Sequence, residues 1–120
     1  MARLDDSSHS FSSYFKRATS PLIVLAILKD KPMYGYEISS QMKLRSQGKY
    51  TLAVMYTVLY RLQEQGFVEI AKTEVVDGRA RNYYKITPAG REYLARTLME
   101  YREMSSVFLS LTEGGDETHE

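Results

Sequence analysis

Residues 52–90 read LAVMYTVLYRLQEQGFVEIAKTEVVDGRARNYYKITPAG, and this stretch decides the fold. Wound as a helix at 100° per residue, its first part puts Met55, Val58, Leu59, Leu62 and Gly66 on one side, with Ala53, Thr57, Tyr60, Arg61 and Glu64 on the other. The first side is core. The second offers small, hydroxyl-bearing and cationic groups of the kind a helix in a major groove presents to base edges and phosphates. Gly66 stops the helix, and Phe67, Val68 and Ile70 open an extended segment. Asp77-Gly78 is a strong two-residue hairpin signal, and on the returning strand Tyr84 and Ile86 alternate with Tyr83 and Lys85. Helix, then ribbon, with a tip of Asp77-Gly78-Arg79-Ala80-Arg81, is the outline of a winged helix-turn-helix and points to DNA.

Upstream, Thr51 is expected to cap this third helix, and Gly48 suits the left-handed position that ends the one before it. That second helix is predicted over about Met33–Ser46, with Tyr34, Ile38 and Met42 as its buried stripe. Ser20-Pro21 reads as an N-cap followed by proline at the first helical position, opening a buried helix through Leu22–Leu28 that stops near Asp30-Lys31-Pro32. Phe11, Tyr14, Phe15 and Ala18 then form a separate short amphipathic segment. Downstream, Thr87-Pro88 caps and opens a long helix reaching about Leu111. Its apolar positions Leu94, Leu98, Tyr101, Met104, Phe108 and Leu111 fall in two adjacent registers that share Tyr101 and Phe108. So broad a stripe either packs on the chain's own first helix or forms a dimer seam, with the 11–18 segment of the other subunit laid across it; its width favours the seam.

The predicted fold class is therefore mainly α with a small β-ribbon (α+β). Residues 1–10 are expected to be a disordered tail, 11–87 a winged-helix domain with an N-terminal helical segment, 88–111 a dimerisation helix and 112–120 an acidic disordered tail. An apolar fraction of 43% with 26% charged residues describes a soluble globular chain, and no apolar run approaches the roughly 18 residues that span a bilayer. With no signal-peptide core at the start, a cytoplasmic location and no membrane partner are expected. The absence of cysteine excludes disulfides and thiolate metal sites. No cofactor or metal is expected.

The net charge of +1 hides an asymmetry. Residues 112–120 carry Glu113, Asp116, Glu117 and Glu120 with no Lys or Arg, so a tail of −4 leaves +5 on the body. Residues 43–61 hold Lys43, Arg45, Lys49 and Arg61 without an acid, and residues 78–91 hold Arg79, Arg81, Lys85 and Arg91 without one. Both blocks fall on the elements that a winged helix lays against DNA. Catalysis finds no support: His9 and His119 lie in expected tails, and neither a phosphate-binding glycine loop nor metal-ligand spacing is present.

The expected DNA-facing residues are Lys49, Tyr50 and Thr51 before the third helix, Ala53, Tyr56, Thr57, Tyr60 and Arg61 along it, and Arg79, Arg81 and Asn82 on the wing. Thr57 and Ala53 are expected nearest the bases, and Tyr56 either donates to phosphate or packs under the wing. Gly35 is expected to permit close packing rather than to touch a ligand. The dimer or effector set is Phe11, Tyr14, Phe15, Leu94, Leu98, Tyr101, Met104, Phe108 and Leu111.

The run LAVMYTVLYRLQEQGFV at 52–68, the run RARNYYKITPAGREYL at 79–94, and Tyr34-Gly35-Tyr36-Glu37-Ile38 upstream resemble the PadR family of bacterial transcriptional regulators, over roughly residues 20–111. Two positions depart from that pattern: Thr57 stands where many members carry Pro, and Ala80 separates Arg79 from Arg81. The resemblance implies a homodimeric repressor, in a short form with one C-terminal helix, that binds an inverted repeat in double-stranded DNA. It also implies an aromatic near Tyr101 that meets its symmetry mate and sandwiches a small flat aromatic effector. The rival readings are a winged-helix protein-interaction module, which the acid-free blocks disfavour, and a small-molecule-binding protein that uses the seam.

Overall fold

The structure, a computed structural model, describes residues 8–114. Residues 1–7 and 115–120, where most of the two expected tails and His119 fall, lie outside the described residues. The elements are α1 (Phe11–Leu28), α2 (Gly35–Arg45), α3 (Met55–Glu64), β1 (Val68–Val76), β2 (Arg79–Ile86) and α4 (Pro88–Thr112).

The amphipathic segment and the first core helix are one element. Ser10 caps α1, its Oγ accepting from the Ser13 N–H at 3.1 Å, and Pro21 lies in the helix interior rather than at its start. A proline there forfeits one backbone hydrogen bond and crowds the preceding turn. Packing outweighs that cost: Val24, Leu25, Ile27 and Leu28, one to two turns on, are 0–2% exposed. Thr19 and Ser20 hydroxyls donate back to the Phe15 and Lys16 carbonyls at 2.7 and 2.6 Å, partners that lie within the preceding turn.

The second helix starts later than expected, at Gly35, because the Met33 backbone is already paired with β2. Its N–H donates to the Tyr84 carbonyl at 3.0 Å and its carbonyl accepts from the Tyr84 N–H at 2.8 Å. Tyr34 becomes the N-cap and is only half-buried, so the buried stripe is Ile38 and Met42 with Met33 beside it. Thr51 does not cap α3. Tyr50 donates its N–H to Ser46 Oγ at 2.8 Å and bonds Thr19 through its hydroxyl at 2.8 Å, while Leu52 packs on the core. Residues 50–52 are thereby held out of helical conformation, and α3 begins only at buried Met55, with Val54 as a cap lacking a side-chain bond. Ala53 consequently sits in the preceding turn rather than on the helix.

Gly66 terminates α3 at φ 80°. The ribbon pairs Val68 with Ile86 through Val76 with Arg79, with an irregularity between Ile70 and Lys72. Asp77 and Gly78 both take positive φ, 53° and 76°, the turn geometry whose twist matches the flanking strands. Thr87 caps α4 as expected: its Oγ1 accepts from the Gly90 N–H at 3.0 Å and donates to the Gly66 carbonyl at 2.6 Å. One core unites all elements, with Leu59 and Tyr84 facing α1 and α2 residues in it. Leu94 is the last buried position on α4; beyond it the helix runs out from the body of a molecule 66 × 35 × 26 Å.

Candidate nucleic-acid interface

A groove of about 720 Å³ separates α3 from the wing. Tyr34 and Tyr36 at the start of α2 and Tyr56 and Tyr60 on the flank of α3 form one side, Arg79, Arg81 and Asn82 the other, and Tyr84 the floor. The rings are paired: Tyr34 stacks on Tyr36 at 6.4 Å between centroids, and Tyr56 lies 6.3 Å from Tyr60. Gly35 is the notch that seats Tyr56, since a Cβ there would lie 2.6 Å from Tyr56 Cζ. The glycine expected to allow close packing thus places a phenol at the groove wall.

Tyr56, Tyr60, Arg79, Arg81 and Asn82 are therefore brought together, and Tyr34 and Tyr36 join them although neither stood in the expected set. Their signal was present as two tyrosines flanking a glycine at a helix start. Thr57 and Arg61 are exposed on α3, and Arg61 borders a second cavity that Pro21, Gln65, Tyr93 and Arg96 also line. Lys49, Thr51 and Ala53 are exposed in the segment entering α3. Tyr50 departs from expectation: half-buried, it turns inward to Thr19, so its hydroxyl belongs to the α1 contact rather than the groove.

The acid-free blocks are not acid-free in space. Arg45 pairs with Asp30 at 2.6 Å and Lys85 with Glu69 at 3.4 Å. Among the described residues Lys49, Arg61, Arg79 and Arg91 form no ion pair, and Asp77 is the one acid lining the groove. Across the wing, Thr73 donates to Asn82 Oδ1 at 2.8 Å, and Tyr83 donates to Glu74 Oε1 at 3.0 Å. Hydrogen bonds from Lys72 and Tyr83 hold the Glu74 carboxyl below its ordinary range. The Arg81 guanidinium is raised further, the neighbouring Tyr83 hydroxyl being the largest cause. Burial pushes the Tyr84 phenol up, with Tyr60 adding to the effect.

On the opposite side, α1 and α4 enclose a cavity of about 210 Å³ whose lining includes Phe15, Thr19, Tyr50, Leu94, Leu98 and Tyr101. Phe15 meets Tyr101 of its own chain edge-on at 6.3 Å, so the N-terminal aromatics are laid against their own α4 in this single chain. Phe11 lies against Phe15 at 5.8 Å, tilted by 32°, and Tyr14 takes Arg17 over its ring at 5.1 Å. Further along α4, Met104, Phe108 and Leu111 are 61%, 55% and 80% exposed.

A helix-turn-helix with a two-stranded wing and a projecting fourth helix defines a winged-helix regulator. Residues 24–96 match the profile of the transcriptional regulator PadR-like family, and the chain belongs to that family of transcriptional regulators. It is 31% identical over 91 residues to the transcriptional regulator Rv3488 of Mycobacterium tuberculosis, covering 76% of this chain and 83% of that one. An uncharacterized protein of Lysinibacillus sphaericus is 33% identical over 94 residues, 77% of this chain and 86% of the other. Among solved structures, a transcriptional regulator from Clostridium thermocellum superposes with a TM-score of 0.75 at 25% identity, over 83% of this chain and 99% of its own. A PadR family regulator from Eggerthella lenta shares the fold at a TM-score of 0.75, 21% identity, 85% of this chain and 88% of its own. Among the described residues no helix is long and apolar enough to cross a membrane.

Proposed function

We propose that the chain is a sequence-specific DNA-binding repressor that acts as a homodimer on an inverted repeat in double-stranded DNA. The observation that carries this reading is the groove between α3 and the wing, where phenol hydroxyls and two guanidinium groups converge with a single acid. Hydroxyl, amide and guanidinium donors are the groups that grip phosphate oxygens. A backbone strand lying in this groove leaves α3 in the major groove and the wing tip over the minor groove. Thr57 and Arg61, outward on α3, then meet base edges; Lys49 and Thr51 meet the backbone at its entry.

Dimerisation is supported by the exposed apolar stripe on α4, since a contiguous apolar patch of this kind is seldom left in water. Two copies also double the bases read, which one helix alone cannot do with useful selectivity. The apolar cavity beside Tyr101 fits a small flat aromatic effector whose entry shifts the α1–α4 packing and releases the operator.

The test is a selection of bound sequences from genomic DNA, followed by footprinting and titration over a range of salt. An inverted repeat with half-sites about one turn or more apart is expected, with affinity falling steeply with salt. Arg61→Ala should cost roughly 1–3 kcal/mol and relax preference at one position, whereas Arg79→Ala should weaken all sequences alike. Protection of one asymmetric half-site, or indifference to salt, refutes the reading. Repression is tested separately: a reporter under the selected promoter should rise when the chain is deleted.

A further inference from the structure

The wing is a two-stranded ribbon, and such a ribbon is marginal by itself. Much of β1 is exposed, Val75 to 75%. Yet its side chains form a continuous column that ends on α2. Lys72 Nζ lies 4.6 Å from the centre of the Tyr83 ring, Tyr83 meets Tyr34 edge-on at 5.3 Å and 66°, and the Arg81 guanidinium carbon lies 4.1 Å from the centre of the Tyr34 ring. Glu74 closes the wing end, accepting from Tyr83 at 3.0 Å and from Lys72 at 3.1 Å.

The backbone that carries the Tyr34 ring is anchored on both sides. Neighbouring Met33 is bonded through both backbone groups to Tyr84, and the Tyr34 N–H donates to the Glu37 carboxylate at 3.3 Å. A guanidinium stacked by its face keeps its in-plane N–H donors free to meet an anion. Arg79, two residues nearer the tip, is exposed and has neither ring nor ion partner among the described residues. The two wing arginines thus differ in freedom before any ligand arrives.

We infer that Tyr34 is a positioning residue for the wing, holding Arg81 at a set height over the groove so that its guanidinium is aimed at a phosphate in advance, while Arg79 is left to search. The inference rests on the DNA-binding reading above. Its physical content is preorganisation: the ordering of a long side chain is completed in the free protein rather than on binding.

The experiment is a double-mutant cycle on the full chain. Tyr34→Phe and Tyr34→Leu are each combined with Arg81→Ala and titrated against the selected operator at one salt concentration. Tyr34→Phe keeps the ring face, so Arg81→Ala should cost the same in it as in the parent, whatever the lost hydroxyl contributes. Tyr34→Leu should bind about five- to thirtyfold more weakly than Tyr34→Phe, the range of an exposed cation–π contact counted once in each subunit of the proposed dimer, and the two should bind alike once Arg81 is alanine. Equal loss in both backgrounds, or Tyr34→Phe losing as much as Tyr34→Leu, overturns the inference, because Tyr34 would then act independently of Arg81 or through its own hydroxyl. Should Tyr34→Leu fail to fold, Tyr34→Met replaces it with the same expectations. A second readout needs no DNA: in the free protein the Arg81 side-chain protons should show a ring-current shift that survives in Tyr34→Phe and vanishes in Tyr34→Leu. Absence of that shift in the parent refutes the stack itself. A shift present in a parent that binds no DNA refutes the DNA-binding reading and, with it, the role assigned to Tyr34.

Discussion

Replacing Gly35 with alanine should separate DNA affinity from stability. A Cβ at this position would lie 2.6, 2.7 and 2.9 Å from Cζ, Oη and Cε1 of Tyr56, where ordinary contact begins at 3.4 Å. The ring must therefore retreat by about 0.8 Å. It can do so, because the clash is with the far end of a side chain that is 51% exposed and free to swing outward. Alanine is also the better helix former, by up to about 1 kcal/mol. Stability should consequently stay within about 1 kcal/mol of the parent. Affinity should not, since the phenol leaves the groove wall. A lost hydrogen bond costs about 1 kcal/mol, the proposed two-fold dimer counts it twice, and the sum is roughly thirtyfold in Kd. Fluorescence anisotropy with labelled operator measures the first quantity and urea unfolding the second. In a Tyr56→Ala background the same substitution should be silent. Unchanged affinity, or a large fall in the unfolding midpoint, would refute the reasoning.

Gly90→Ala should behave in the opposite way: its Cβ would strike the Phe67 backbone carbonyl and approach Ile86 Cγ1 to 2.9 Å, neither able to swing clear. Overpacking of this kind costs about 1–3 kcal/mol, read as a lower urea midpoint at unchanged slope. Tyr101→Ala should shift the monomer–dimer balance toward monomer in sedimentation without DNA, by no more than the roughly 3–5 kcal/mol that a fully buried aromatic represents; a variant as dimeric as its parent removes Tyr101 from the seam. Burial raises the Tyr84 phenol above its ordinary value of 10.0, so folding favours the protonated form. That contribution is complete below about pH 10 and is lost as pH rises through the folded value, so Tyr84→Phe should flatten the alkaline fall in stability relative to the parent.

The legible parts of the chain were those in which the deciding atoms are neighbours in sequence. Thr87-Pro88 caps α4 through a hydroxyl three residues from its donor, and Asp77-Gly78 turns the ribbon through the φ angles of those two residues alone. Gly66 stops α3 for the same local reason. The 3.6-residue period likewise put Met55, Val58, Leu59, Leu62 and Gly66 on the core side, and the first four are buried, while Gly66, past the helix end, is exposed. Fold class followed from that much, and the family from the resemblance carried by the runs at 34–38, 52–68 and 79–94.

Tertiary contacts decided the rest. Proline at 21 carries a local rule for a helix start, yet core packing downstream keeps α1 continuous through it. Thr51 is a good cap by residue type, but the Tyr50–Thr19 bond, 31 residues apart in the chain, holds the segment extended past it. Arg45 and Lys85 read as part of basic blocks until Asp30 and Glu69 arrive from other elements. The five-tyrosine groove and the ring beneath Arg81 join α2, α3 and β2, elements whose proximity no local pattern encodes. A helix period or a turn angle is set by steric and hydrogen-bonding terms within a few residues, so the sequence alone determined it. The partner of a charge or a ring depends on which distant segments the buried core brings together, and only the folded chain decided that.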